Sequence, residues 1–366
     1  MGFQCGIVGL PNVGKSTLFN ALTATAGAEA ANYPFCTVEP NSGRVAVPDD
    51  RLKVIASLAK SKNIVPAQLE FVDIAGLVQG ASQGEGLGNQ FLGHIREVAA
   101  VAHVLRCFEG DEVTHISGRV DPLADAEVVE TELLLADLQS LERRKDPLIK
   151  KSRGGDTEAK AMLNLVERAT LLLQEGQPAR AMEISHAETR LYKEMQLLSS
   201  KPVMYVCNVD EDSAAKGNAL SAKVAEKAAA ENAACVIVSA EIEAEVALLN
   251  DPEEKQEFLA SLGLNRTGLE RIILAGYELL QLVTYFTAGP KESRAWTIPR
   301  VTKAVDAAGV IHTDFARGFI CAETIGYEDY VKHQGEQGAK GAGRMLQEGR
   351  DYVVKDGDVL LFRFNV

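Results

Sequence analysis

The sequence predicts an α/β protein: a doubly wound, mostly parallel sheet, an inserted antiparallel helical hairpin, and a small α+β domain near the C-terminal end. Three observations carry this. Short apolar runs alternate with helical segments, the rhythm of a doubly wound sheet. Residues 127–195 interrupt that rhythm with helix formers alone. Beyond residue 280 the pattern changes again, to strand-like runs and a Lys355-Asp356-Gly357-Asp358 turn.

Five runs read as buried parallel strands: Phe3–Val8, Leu69–Val72, His103–Phe108, Val203–Cys207 and Val236–Val238. Each is short, rich in Val, Ile, Leu, Cys or Phe, and bounded by a polar or glycine element. In the strandless stretch, Leu134, Leu138, Leu141 and Leu148 form one apolar stripe. Leu163, Val166, Thr170 and Leu173 form another. Ser152-Arg153-Gly154-Gly155-Asp156 separates the two arms, so they read as a hairpin. Pro147 is expected to kink the first arm or end it early. Arg294–Ile298, Phe319–Glu323 and Val359–Phe364 are the strand-like runs of the last domain. The expected domains are 1–126 with 196–280, then 127–195, then 281–366.

A chain of 366 residues with 46% hydrophobic content is long enough for two or three cores. Its net charge of −13 excludes nucleic-acid binding through the overall field, so an RNA contact needs a local basic patch. The six cysteines are scattered with no C-x-x-C pair, which indicates neither a zinc site nor a disulfide framework. No leader and no membrane-length apolar run is evident, and a cytoplasmic protein is expected.

Gly9-Leu10-Pro11-Asn12-Val13-Gly14-Lys15-Ser16 follows the first strand and opens a helix. This G-x-x-x-x-G-K-[ST] pattern turns backbone N–H groups inward around phosphates and places a helix N-terminus behind them. Asn12, Val13, Gly14, Lys15, Ser16 and Thr17 are the candidate phosphate cradle. Lys15 is expected on the β- and γ-phosphates, and the Ser16 hydroxyl on Mg²⁺. Asp73-Ile74-Ala75-Gly76 ends the second predicted strand. There Asp73 can serve the metal and the Gly76 N–H the γ-phosphate. Thr37, between these motifs, is the candidate for a second hydroxyl on Mg²⁺. Gly76–Gly88 contains five glycines and reads as a flexible switch. Leu77 stands where a water-orienting glutamine serves Ras-like GTPases. His115 is a candidate to act on water instead, or is a surface histidine.

Guanine readers use Asn-Lys-x-Asp after a strand; here the sequence is Asn208-Val209-Asp210-Glu211. The lysine is lost and the carboxylate is one methylene longer, so guanine selectivity is expected to be relaxed or gone. Asn208, Val209 and Glu211, with Ser239 and Ala240 after the last strand, are the candidate base contacts.

These motifs resemble the YchF, or Obg-like ATPase, family of translation-factor-class P-loop proteins. The resemblance runs from Met1-Gly2-Phe3 through the P-loop, Asn32–Thr37, Asp73–Gly88 and Asn208–Glu211 to Phe362-Arg363-Phe364-Asn365-Val366. It implies an Obg-type G domain, the inserted hairpin, and a C-terminal TGS domain of ubiquitin-like β-grasp fold. It implies ATP in preference to GTP, Mg²⁺ on Ser16 and Thr37, and a catalytic His115. It further implies association with the ribosome and a role in translation or stress response; the large subunit is the expected ribosomal partner, and a monomer is expected. A redox role for Cys36 is implied too, beside the reading of an inert thiol. Between Arg143 and Arg153 lie Arg143, Arg144, Lys145, Lys150, Lys151 and Arg153 with one acid, Asp146. That cluster is expected at the hairpin tip and suits RNA phosphates. Two alternatives stay open: a GTPase with an altered base loop, and a non-hydrolysing nucleotide-gated adaptor.

Overall fold

In the computed structural model, which describes residues 3–30, 42–74, 88–109, 120–249 and 251–365, the five predicted parallel strands pair in one sheet. The elements of its first half are β1 (Gln4–Val8), α1 (Lys15–Ala30), β2 (Ser42–Ala46), α2 (Asp50–Ala59), β3 (Asn63–Val65), β4 (Gln68–Asp73), α3 (Gly88–Glu97) and β5 (Ala100–Arg106). Then come α4 (Pro122–Arg153), α5 (Thr157–Gln174), α6 (Thr189–Glu194), β6 (Val203–Asn208), α7 (Ala219–Ala230), β7 (Ala234–Val238), α8 (Ala240–Leu248), α9 (Pro252–Ser261) and α10 (Gly268–Leu279). The first sheet runs β2-β4-β1-β5-β6-β7. All neighbours are parallel except β2, an antiparallel edge strand. Sequence reading missed β2 because Ser42-Gly43-Arg44-Val45-Ala46 buries only alternate residues and lacks a continuous apolar run.

Side chains alternate across the sheet, and the two faces carry different cargo. Ala102, Val104, Met204 and Val206 share one core with α1, α2 and α10. Val101, Leu105, Val203, Tyr205 and Cys207 share another with α3, α7 and the root of α4.

Asp121 caps α4, accepting from the Ala124 N–H at 3.2 Å, with Pro122 at the first position where no donor is needed. The helix does not end near Pro147; it continues to Arg153. Pro147 is exposed, so water can reach the Arg143 carbonyl that the ring leaves without its partner. Asp156 caps α5 by accepting from Ala159 N–H at 3.0 Å, and Gly155 turns the chain at φ 88°. The buried stripe of α5 is Leu165, Val166, Ala169 and Leu173, packed on Leu141, rather than the predicted 163–166–170–173 register. Thr170 turns its hydroxyl back to the Val166 carbonyl at 2.7 Å. The buried carboxylate of Asp137 holds the returning chain, accepting from the Leu198 and Ser199 N–H groups at 2.8 Å each.

The second half of the chain contributes β8 (Leu282–Thr287), β9 (Glu292–Pro299), α11 (Ala304–Ile311), α12 (Thr313–Arg317), β10 (Phe319–Gly326), α13 (Tyr327–Lys332), α14 (Glu336–Gly341), β11 (Leu346–Glu348) and β12 (Asp358–Phe364). The second sheet is β11-β10-β12-β8-β9-β3. Its last strand comes from the first half: Ile64 pairs with Ser293 in a parallel ladder. Beside it, Ser61 Oγ donates to the Gly289 carbonyl at 2.8 Å. Arg51 bridges Asp49 and Asp356 at 2.8 and 2.6 Å. These two carboxylates hold its guanidinium well above the usual arginine range, against the opposing effect of burial.

At the root of α4 the Tyr205 hydroxyl sits between Glu130 and Glu231, 2.6 and 2.9 Å away. Lys227 reaches Glu130 at 3.1 Å and Glu231 at 2.5 Å, and Arg180 reaches Glu231 at 2.9 Å. Beside this network His103 is 2% exposed, and its Nε2 has no partner among the described residues. Burial lowers its pKa from 6.5 to about 4. Between those values the unfolded chain binds the extra proton, so stability falls as pH drops through this window. The contribution is about 2 kcal/mol at pH 5. His103→Leu is therefore expected to lose less stability than the wild type between pH 7 and pH 5 in urea unfolding. An equal acid loss in both proteins would refute the assignment.

Candidate nucleotide-binding site

The site lies at the C-terminal ends of the parallel strands, where β1, β4, β6 and β7 each deliver a loop. After β1 the chain turns through Asn12 at φ 64° and Gly14 at φ 89° before α1 begins at Lys15. Left-handed residues inside a tight turn point successive N–H groups into one concavity, which is an anion nest. Gly14 must be glycine for a second reason: an added Cβ would lie 2.2 Å from Asn208 Nδ2. At Gly9 it would lie 2.8 Å from the Val104 carbonyl. Ser16 and Thr17 are exposed in the first turn of α1.

Lys15 forms an ion pair with Asp73 at the end of β4. Both are largely buried, at 11% and 19% side-chain exposure. The two groups assigned to phosphate and metal thus neutralise each other. Lys15 has the charge to meet a phosphate, and Asp73 would be a ligand for a divalent cation. The Ser16 hydroxyl and the Asp73 carboxylate are hard oxygen donors, the kind that Mg²⁺ takes alongside water and phosphate.

The Asn208 side chain is committed to the two neighbouring loops. It is 3% exposed, and its Nδ2 donates to the Val13 carbonyl at 2.9 Å while its Oδ1 accepts from Ala240 N–H at 2.9 Å. It braces the phosphate loop against the loop after β7. Val209 is turned away: its side chain is in the core, and its N–H donates to the Val238 carbonyl at 2.8 Å. The Val209 side chain is in the core and the Ala240 N–H is occupied, while the Asn208 amide has a second Nδ2 hydrogen beyond the one given to Val13. Glu211 is exposed at the start of a short 3-10 turn, and Asp210 caps that turn by accepting from Ser213 N–H at 2.9 Å. Desolvation, then Glu245, Glu241 and Asp212, raise the Glu211 pKa. This concentration of acids was not evident from the motif alone, because Glu241 and Glu245 belong to α8. Ser239 is 2% exposed, and its hydroxyl has no partner among the described residues. Thr37, Gly76, Leu77, His115 and Cys36 lie outside the described residues.

Comparison with known proteins agrees with this geometry. Residues 4–135 match the family model of 50S ribosome-binding GTPases. Residues 282–365 match the YchF-type GTPase C-terminal model, described as a protein of unknown function. The chain is 55% identical to the ribosome-binding ATPase YchF of Escherichia coli O157:H7, with all of both chains covered. It is 52% identical to the protein of that name in Bacillus subtilis strain 168, again over all of both chains. The structure of the Schizosaccharomyces pombe YchF GTPase matches with a TM-score of 0.90 at 37% identity, covering 99% of this chain and 98% of that one. Identity of this extent over the full length, at both the phosphate loop and the second sheet, means that the chain belongs to the YchF family.

Proposed function

We propose that this chain is a cytoplasmic, Mg²⁺-dependent nucleoside triphosphatase that hydrolyses ATP in preference to GTP and works on the ribosome. The observation that carries the enzymatic part is the nest at Asn12–Gly14 with Lys15 paired to Asp73 at its mouth. When bound, Mg²⁺ would neutralise charge on the β- and γ-phosphates, held by Ser16 and Asp73, with Thr37 as a proposed further ligand. Lys15 leaves Asp73 and takes the same phosphates. The nest N–H groups hold the triphosphate in line. Gly76 is proposed to donate its N–H to the γ-phosphate, and His115 to orient or deprotonate the attacking water. Leu77 has no polar group for that task.

On the base side, guanine recognition needs a lysine stem over the ring and a carboxylate aimed at N1–H and the 2-amino group. Val209 packs away, and Asp210 is engaged as a cap. Adenine can be held by backbone groups of this loop and by the Ser239 hydroxyl. A second reading has its own support: the S. pombe relative is named a GTPase where the E. coli relative is named an ATPase.

The ribosomal partner is supported by the relatives' names and by the charge on the hairpin. Because α4 runs on to Arg153, Lys150, Lys151 and Arg153 are at its tip. Arg143 and Arg144 sit about 15 Å lower on the stem. The tip lysines are proposed to meet ribosomal RNA of the large subunit.

Competition for labelled ATP tests the base: unlabelled ATP should displace it at lower concentration than GTP, and the reverse order would defeat the proposal. Lys15→Ala removes charge-assisted bonds to phosphate and should weaken ATP binding by roughly 10- to 100-fold, with hydrolysis falling to background. Asn208→Ala should destabilise the fold by about 1–3 kcal/mol, because Val13 and Ala240 keep buried unpaired groups. It should weaken ATP and GTP alike, measured by denaturation and nucleotide titration; a selective effect on one base would make Asn208 a direct contact. Charge reversal of Lys150 and Lys151 should reduce co-sedimentation with ribosomes; unchanged binding would remove the tip contact.

A further inference from the structure

The two arginines on the hairpin stem face a groove that the tip does not share. It has a volume of about 480 Å³ and lies between α3 and α4, with Gln196 at one end. Arg96 of α3 lines it from one side and Arg143 and Arg144 of α4 from the other, with Gln139 and Ser140 beside them. Leu92 and Ala136 are its apolar part. Among the described residues that line it, none is acidic, on a chain of net charge −13.

The cations are positioned. Arg143 Nε donates to the Gln139 carbonyl at 3.2 Å, and Arg144 donates to the Glu194 carbonyl at 3.3 Å. Both acceptors are neutral backbone carbonyls, which leave the guanidinium charge in place. Among the described residues, none of the three arginines forms an ion pair with a carboxylate. The backbone beneath Arg96 is held as well, because Lys201 donates to its carbonyl at 2.9 Å.

We infer that this groove binds the phosphodiester backbone of RNA, with Arg96, Arg143 and Arg144 on successive phosphates. This rests on the proposed RNA contact of the hairpin and extends it from the tip down to α3. Three planar guanidinium forks lining a polar groove suit phosphate oxygens, which accept paired N–H bonds. An apolar peptide would find only Leu92 and Ala136. The contact also places RNA on a helix tied to the nucleotide site. Leu92 shares its core with Ile74, the residue after Asp73.

Binding of a fluorescein-labelled RNA duplex, followed by anisotropy over a range of salt, tests the groove. Arg96→Gln should weaken the full-length protein's affinity by roughly tenfold and flatten the log–log salt dependence by about one charge. Arg143→Gln with Arg144→Gln should flatten it by about two. Lys150→Gln with Lys151→Gln serves as the tip control. If the tip pair weakens binding and Arg96→Gln leaves affinity and salt slope unchanged, the groove is overturned while the tip contact stands. If no variant changes RNA binding, both fail. Retained Tm and ATP affinity in Arg96→Gln show that the loss is not unfolding. If Arg96→Gln spares RNA duplex but weakens purified ribosomes, the groove meets ribosomal protein, and the RNA inference is wrong.

Discussion

The nucleotide site depends on one buried amide. Asn208 ties the Val13 carbonyl to the Ala240 N–H and so joins the loops after β1 and β7 through the end of β6. A backbone nest binds anions only while its N–H groups stay aimed, and a loop with residues at φ 64° and 89° would relax if released. The brace also explains the glycine at position 14, since any side chain there would occupy the volume of the Asn208 amide. Phosphate-side and base-side loops are therefore held by the same residue.

The strand alternation that builds the sheet also separates its attachments. Odd and even residues of β5 and β6 enter different cores, so the hairpin root packs on one face and α2 with the second sheet on the other. The hairpin is fixed there by apolar contacts of Ala126, Val129 and Leu133 and by the four-charge network around Tyr205. In a network where each charge meets an opposite one, desolvation is offset only while every partner is present. The root is thus rigid by mutual dependence, and it lies against a histidine that burial keeps neutral.

Much of this was legible in the sequence because the signals were local. The phosphate loop announces itself through glycine spacing between a strand and a helix. The five central strands show as continuous apolar runs because both their faces are covered. What was not legible depends on contacts far along the chain. β3 is three residues long and acquires its identity from β9, more than two hundred residues later. The inward turn of Val209 follows from the β7 ladder, not from the motif in which it stands. In the hairpin, leucine spacing revealed the helices, but the buried stripe on α5 is 165–166–169–173, set by the packing on Leu141 rather than by spacing alone. Pro147 does not end the first arm: the carbonyl left without its partner, that of Arg143, is on an exposed surface where water can serve it.

The membership of β3 in the second sheet bears on how separate the C-terminal domain is. A linker-joined domain would bring its own edge to solvent. Here the edge of β9 is covered by a strand from the N-terminal half, and Leu52 and Ile55 of α2 share a core with Phe286, Ile325 and Val359. Arg51 then clamps Asp356, whose other oxygen accepts from Thr284 N–H at 2.8 Å, so the clamp reaches the backbone of β8. Motion between the halves would have to break a strand ladder, open an apolar core and strand a guanidinium together. The strand ladder, the shared core and the Arg51 clamp therefore argue together against a hinge at residue 281.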